Sequence, residues 1–424
     1  MQRRHFLGAA GAAVLGSMGA MGVRAARAAA PARVVVIGGG YGGATAARYL
    51  REWSGNAIEV TLVEPNPVFI SCPLSNLVIG GSRQMAELTL TYDQLVRRHG
   101  VKLVRDTAAA IDPGKRTVRL AGGGTLRYDR LLLSPGIDLM SDALPGLKRP
   151  GGDQVLHAWK AGPQTVALRR QLEAMPDGGT YAITIPTAPY RCPPGPYERV
   201  CQVAHYFKQH KPRSKVLVLD ANPDITSKAG LFRKVWAGQY PGMVEYRPQY
   251  NTVDVDPATR TLKFEVQEDV RADVINVLPP QRAGAIAVAT GLATANAKWC
   301  DVDFVTFESR AAPNIHVVGD AIQIAPLMPK SGHMANQHGK VAAAAIVALL
   351  SGRTPDPQPL YNNTCYSFTS DREAVHVASV HRYDAAQKTM LTVPGSGGLS
   401  DAPNTLEGVY ALSWAKGIWS EMLG

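Results

Sequence analysis

The sequence is poor in cysteine and has no charge runs, and each shortage closes a class of function. Five cysteines stand in 424 residues: Cys72, Cys192, Cys201, Cys300 and Cys365. No two form a C-x-x-C pair, which argues against a structural zinc framework. No C-x-x-C-H is present to attach a c-type haem to this chain. The odd number leaves at least one cysteine outside any intramolecular disulfide. No run of Lys or Arg and no basic–aromatic cluster marks a nucleic-acid face. The formal charge is nevertheless +11, falling to +7 without the first thirty residues, which hold four arginines and no acid. A surface of that sign suits an acidic protein partner or an anionic substrate, and a merely solvated basic surface accounts for it equally well. The apolar run at 341–350 is too short to span a bilayer and reads as a core helix.

What is present begins at the N-terminus. Arg3-Arg4-His5-Phe6-Leu7 fits the twin-arginine pattern R-R-x-F-L, followed by a weakly hydrophobic Gly/Ala stretch and small-residue cleavage candidates at Ala28 and Ala30. Residues 1–30 therefore read as a Tat signal peptide, which exports a protein already folded around its cofactor. The expected location is the periplasm, where a disulfide can persist.

Residues 34–43, VVVIGGGYGG, are the organising stretch. The apolar run reads as a buried parallel strand. Gly38, Gly40 and Gly43 follow at G-x-G-x-x-G spacing, Tyr41 among them, and ATAARYLREW continues as a helix. The first glycine makes the tight turn, the second admits a pyrophosphate, and the third lets helix and strand lie close. A second strand, IEVTLVE, ends at Glu64, 21 residues after Gly43, where a ribose-binding carboxylate belongs. Tyr128-Asp129 and then Ser134-Pro135-Gly136 resemble the strand by which a chain leaves such a domain. Residues 83–100 read as a helix. Further on, PNIHVVGDA is a strand ending in Gly319-Asp320, with a loop and helix behind it. This is the second fingerprint of FAD proteins of the glutathione-reductase type, in which the Asp holds a ribitol hydroxyl.

A second strand–helix–strand unit occupies 180–222, but PTAPYRCPPGPYER stands where its glycines belong. Prolines offer no N–H to a phosphate, so a normal NAD(P) site is not expected there. The fold class is α/β: two Rossmann-like dinucleotide-binding domains of the FAD/NAD(P) type plus a smaller C-terminal α+β region. The expected division is the signal peptide (1–30), an FAD-binding domain in two pieces (31–145 and 285–355), a second Rossmann-like domain without an NAD site (146–284) and a C-terminal domain (356–424).

SCPLSNLVIGG, HAWKAG, RCPPGPYER, ADVINVLPPQRAG, MPKSG and NTCYS together resemble the flavoprotein subunit of flavocytochrome c sulfide dehydrogenase, including its SoxF-like members. The resemblance spans nearly all of the chain after the signal. It implies a covalent link from Cys72 to the flavin 8α-methyl group. Spacing leaves three complete pairings among the other four cysteines, and only the resemblance selects Cys192–Cys365 as a redox-active disulfide. It also implies Glu198 as a carboxylate near that disulfide, whose other reading is a helix N-terminal acid. Lys330 is implied as a charge facing the flavin pyrimidine, whose other reading is a surface lysine. Ala108 and Pro329 complete the expected cofactor set. Cys201 and Cys300 read as packed thiols. The implied activity is oxidation of hydrosulfide through the disulfide and FAD, with electrons passing to a c-type cytochrome subunit that carries the haem. Two alternatives stay open: an accessory flavoprotein of the sulfur-oxidation system with little turnover of its own, and a sulfide:quinone oxidoreductase. The latter usually carries a further cysteine where this chain has none between 73 and 191.

Overall fold

The strand Arg33–Ile37 sits at the middle of a five-stranded sheet because its residues from Val34 on are buried. A computed structural model describes residues 30–424, so the twin-arginine segment lies outside the described residues. In the sheet, Arg33–Ile37 is flanked by Glu59–Val63 and Arg130–Leu133, with Lys102–Val104 and Ile315–Val317 at the edges. All four pairings are parallel. A sheet buried on both faces reads as continuous Val/Ile/Leu, as these strands do. The edge strand Ile315–Val317 arrives from far along the chain, so the sheet is discontinuous in sequence.

The helix Tyr41–Trp53 buries Gly42, Gly43, Ala44, Thr45, Ala46, Ala47 and Leu50. These small residues let it lie close to its neighbours. The helix Gly332–Leu350 crosses it so tightly that a Cβ on Gly339 would lie 2.4 Å from the Gly42 carbonyl oxygen.

The second parallel sheet runs Val244–Pro248, Lys215–Asp220, Thr180–Ile185, Val274–Val277. Its helix, Gly195–His210, carries Glu198 in its first turn and Arg199 just after it. The chain then forms the hairpin Leu360–Phe368 with Ala374–Asp384, in which Cys365 pairs with Val377. The C-terminal helix Thr405–Leu423 is capped by Asn404, whose side chain accepts from the Glu407 N–H. Ala32–Gly424 is one compact unit. Among the described residues, no helix is long and apolar enough to cross a membrane.

The helix expected over 83–100 is corrected. A 3-10 turn (Met85–Leu88), a two-residue strand (Thr89–Leu90) and a short helix (Asp93–Arg97) take its place. Two tertiary contacts override the helical pattern. Thr89–Leu90 pairs with the otherwise single strand Phe69–Ile70. Tyr92 turns inward, and its hydroxyl donates to the Gly39 carbonyl at 3.1 Å.

Candidate active site

The glycine turn forms as its spacing requires. Gly38 has φ +94°, and a Cβ there would lie 2.2 Å from the Ser134 carbonyl oxygen. A Cβ on Gly43 would meet the Gly38 carbonyl oxygen at 1.8 Å, whereas a Cβ on Gly40 would meet nothing within 4 Å. The space above Gly40 is thus open, and the helix Tyr41–Trp53 begins there with no side-chain cap on its free N–H groups. That is a ready anion site. The Glu64 carboxylate holds the rim. It accepts from the Gly39 N–H at 2.7 Å and from the Asn66 N–H and side-chain amide at 2.8 and 2.7 Å. Gly43→Ala should force the turn open, since the obstacle is backbone. We expect about 1–3 kcal/mol of lost stability and a purified protein depleted of flavin. Wild-type flavin content with an unchanged melting profile would contradict this account of the turn.

A single cavity connects this turn to the Cys192 loop, the start of the helix Gly195–His210 and the C-terminal hairpin. Gly40, Tyr41, Glu64, Cys72, Ser134, Gly136, Cys192, Glu198, Gly319, Asp320 and Cys365 all line it. Asp320 provides the test of fit for a cofactor. Its Oδ1 is buried without a hydrogen-bond partner, and burial pushes its carboxyl upward. A buried acceptor facing a cavity calls for a donor from a ligand. The open phosphate cradle and the orphaned Asp320 oxygen together fit a dinucleotide with a polyhydroxyl chain, as in FAD.

Several expected positions are not on the cavity wall. Gly38 and Gly43 lie beneath the turn and shape it. Pro135 packs against Gly284, 2.9 Å from where a Cβ on that glycine would be, and neither it nor Pro329 lines the cavity. Ala108 does not line this cavity either; it belongs to a separate antiparallel sheet, paired with Leu120. Lys330 is corrected. Its ammonium turns away to donate to the carbonyl oxygens of Asp320 (2.9 Å) and Ile322 (2.6 Å), and it lies 3.5 Å from the centre of the Trp299 ring. Burial draws it down to about 7. It braces the Gly319–Ala321 turn from behind. Its backbone carbonyl accepts the Cys192 N–H at 2.8 Å, so it also anchors the neighbouring loop.

Three cysteines face the cavity and two do not. Cys72 lies between the strand Phe69–Ile70 and the helix Ser75–Gly80. Cys192 sits in the proline loop with φ +58°. Its sulfur packs on Gly195, where a Cβ would come within 2.8 Å of it. Cys365 comes from the hairpin, and its sulfur accepts from the Asn363 amide at 3.3 Å. Both thiols are free, and burial raises both. Cys201 and Cys300 are fully buried in the two cores. Among the described residues no cluster could hold a metal ion.

Glu198 is buried behind the thiols. One carboxylate oxygen accepts from the Asn76 amide at 2.8 Å and the other from the Phe368 N–H at 2.8 Å. Burial raises its carboxyl. Asn76 is held in turn by Arg199, which donates to its side-chain oxygen at 3.0 Å. Asn76 and Arg199 stand inside distinctive segments, SCPLSN and RCPPGPYER, but no spacing in the chain indicates that residues this far apart meet.

Comparison with known proteins agrees with this geometry. Residues 165–279 match the family described as sulfide dehydrogenase (flavocytochrome c) flavoprotein chain, central. Residues 357–423 match flavocytochrome c sulphide dehydrogenase, flavin-binding, and residues 32–173 match pyridine nucleotide-disulphide oxidoreductase. The sulfide dehydrogenase (flavocytochrome c) flavoprotein chain of Chlorobaculum thiosulfatiphilum is 59% identical over 46 residues, 11% of this chain and 94% of that sequence. Mitochondrial sulfide:quinone oxidoreductase of Mus musculus is 24% identical over 317 residues, 72% of this chain and 69% of that protein. The solved sulfide:quinone oxidoreductase of Aquifex aeolicus shares the fold, with a TM-score of 0.76 at 18% identity over 92% of this chain and 91% of that one. The chain belongs to the family of flavoprotein chains of flavocytochrome c sulfide dehydrogenase.

Proposed function

We propose that this chain is a periplasmic sulfide dehydrogenase flavoprotein that oxidises hydrosulfide through a Cys192–Cys365 disulfide and passes the electrons to a c-type cytochrome subunit. The observation that carries the reading is the meeting of Cys192, Cys365 and Glu198 with the glycine turn and Asp320 on one cavity. The glycine turn, Glu64 and Asp320 would hold FAD and Cys72 would link it, and the bound flavin would supply a sink for an electron pair that can be passed on one electron at a time. The chain's own part is sulfur and proton chemistry. Hydrosulfide adds to one sulfur of the disulfide, leaving a persulfide on one cysteine and a thiolate on the other. Glu198, raised by burial, takes up the proton that the sulfur loses on oxidation. Removal of an electron pair, for which the bound flavin would be the sink, would release the added sulfur at the zero-valent level and restore the disulfide. Arg3-Arg4 supports export of the folded protein.

The test is anaerobic titration with sulfide while the flavin absorbance is followed, then addition of oxidised cytochrome c or a short-chain quinone. Rapid bleaching and reoxidation by cytochrome c are expected. Preference for quinone would assign the chain to the quinone-reducing class, and bleaching too slow for turnover would make it an accessory flavoprotein. After denaturation, wild-type protein should keep its flavin with the polypeptide and Cys72→Ser should release it. Free flavin from intact wild type would remove the Cys72 linkage.

A further inference from the structure

A buried lysine stands behind one of the two thiols, and the chemistry above makes no use of it. Lys228 is 6% exposed. It holds φ +58°, a conformation uncommon for a residue with a long side chain, immediately before the helix Ala229–Gln239. Its ammonium donates to the Cys365 carbonyl and the Ser367 hydroxyl, both at 2.8 Å, and lies 3.5 Å from the Val375 carbonyl. All three belong to the Cys365 hairpin. Burial lowers Lys228 only to about 8, so it keeps its charge at neutral pH.

The two sulfurs are supported unequally. Cys365 has Lys228 behind it and the Asn363 amide donating to its sulfur at 3.3 Å. The Asn363 oxygen accepts from the Ser331 hydroxyl at 2.6 Å and, more distantly, from the Cys365 thiol at 3.6 Å. Among the described residues, no donor reaches the Cys192 sulfur. The helix Gly195–His210 begins just after Cys192, and a helix N-terminus favours a thiolate. Here, however, the Gly195 N–H is spent on the Cys192 carbonyl at 2.8 Å, and the first-turn acid of that helix is Glu198. The other charges facing the pair are Arg191 and Arg199 on the Cys192 side, Glu198, which faces both sulfurs, and Glu407 on the C-terminal helix beyond Lys228; Lys228 also faces Cys192, but for Cys365 it is the leading charge.

We propose that Lys228 is a positioning residue for sulfide oxidation: its buried ammonium stabilises the anion on the Cys365 sulfur, so that hydrosulfide adds to Cys192 and Cys365 departs as the thiolate. The Cys192–Cys365 bond breaks, a bond from Cys192 to the incoming sulfur forms, and the proton of hydrosulfide stays on the new persulfide. One negative charge enters and one remains, now on Cys365 beside Lys228. The sulfur that better carries a charge is the better leaving group.

This inference rests on the disulfide reading, and its test separates the two. Reduced protein is alkylated with iodoacetamide over a pH series, and each cysteine peptide is quantified by mass spectrometry. The pH midpoint reports the thiolate independently of how exposed each sulfur is. Cys365 should show the lower midpoint. Lys228→Met should raise it so that alkylation at neutral pH slows about tenfold, a one-unit change in thiol pKa. The Cys192 midpoint should stay within a fraction of that shift, and Lys228→Arg should restore most of the effect. Equal midpoints in the wild type, or a lower one at Cys192, would overturn the inference even if Lys228→Met failed to fold. A peptide map of unreduced protein lacking a Cys192–Cys365 cross-link would instead overturn the parent reading. A cross-link with equal midpoints would overturn only the role of Lys228.

Discussion

Cys192→Ser and Cys365→Ser should each abolish sulfide-driven flavin reduction while leaving a folded, flavin-containing protein. The chemistry needs two sulfurs that can share a bond, and a serine oxygen cannot join a disulfide or carry a persulfide. Removing a covalent catalytic group from a working unit costs roughly three orders of magnitude or more in rate. Either single variant should therefore be about as inactive as the double. Both residues are partly exposed on the cavity, Cys192 packs against the second core, and either variant loses the proposed cross-link, so a cost of about 2–4 kcal/mol is expected without loss of the fold. The experiment is stopped-flow reduction by sulfide, with dithionite as a reductant that bypasses the cysteines. Dithionite should bleach all variants alike. If a single variant were reduced by sulfide at the wild-type rate, the disulfide mechanism would be wrong.

Arg199→Met should be the most destabilising change in the site. The guanidinium is 1% exposed. It donates to the Asn76 side-chain oxygen (3.0 Å), the His157 carbonyl (2.8 Å), the Asn276 side-chain oxygen (2.8 Å) and the Ala158 carbonyl (2.7 Å). It also lies 5.0 Å from the Trp159 ring centre. Methionine fills much of the volume but leaves four buried acceptors without this donor. Breaking a buried charged network from one side costs about 3–5 kcal/mol. The loss should extend to the chemistry, because the Asn76 that Arg199 holds also donates to Glu198 at 2.8 Å. Arg199→Lys should recover little, since one ammonium cannot match a planar fork serving four acceptors. Thermal and urea unfolding measure the stability. A midpoint near wild type for Arg199→Met would mean that water replaces the guanidinium and that the network is not structural.

The FAD-type turn was readable because its causes are local. A tight turn, an open approach and a close helix each forbid a side chain at one position. Those prohibitions appear directly as Gly38, Gly40 and Gly43. Glu64 was readable for a related reason: strand and helix lengths within one β-α-β unit fix where the next strand ends. The prolines around Cys192 argue, again locally, against a phosphate cradle in the second unit. The proposed partnership of Cys192 with Cys365 is different in kind. It came from family resemblance, because three pairings satisfied the spacing equally well.

Lys330 shows where local reading stops. The resemblance implied a charge for the cofactor and the local reading a surface lysine, yet its side chain turns to the carbonyl oxygens of Asp320 and Ile322 and to Trp299. Nothing near it in sequence records that choice. The segment 83–100 failed for the same reason, when an unpaired strand and the inward turn of Tyr92 outweighed helical periodicity. Glu198, Asn76, Arg199 and Lys228 acquire their roles only from contacts across the fold. The Asn76–Glu198 bond spans 122 residues of chain and the Lys228–Cys365 bond 137. Backbone conformation and its steric prohibitions are short-range and leave a mark on each residue in turn. The electrostatics of a buried site is a sum over neighbours that only packing brings together, so the cofactor cradle can be read along the chain and the environment of its sulfurs cannot.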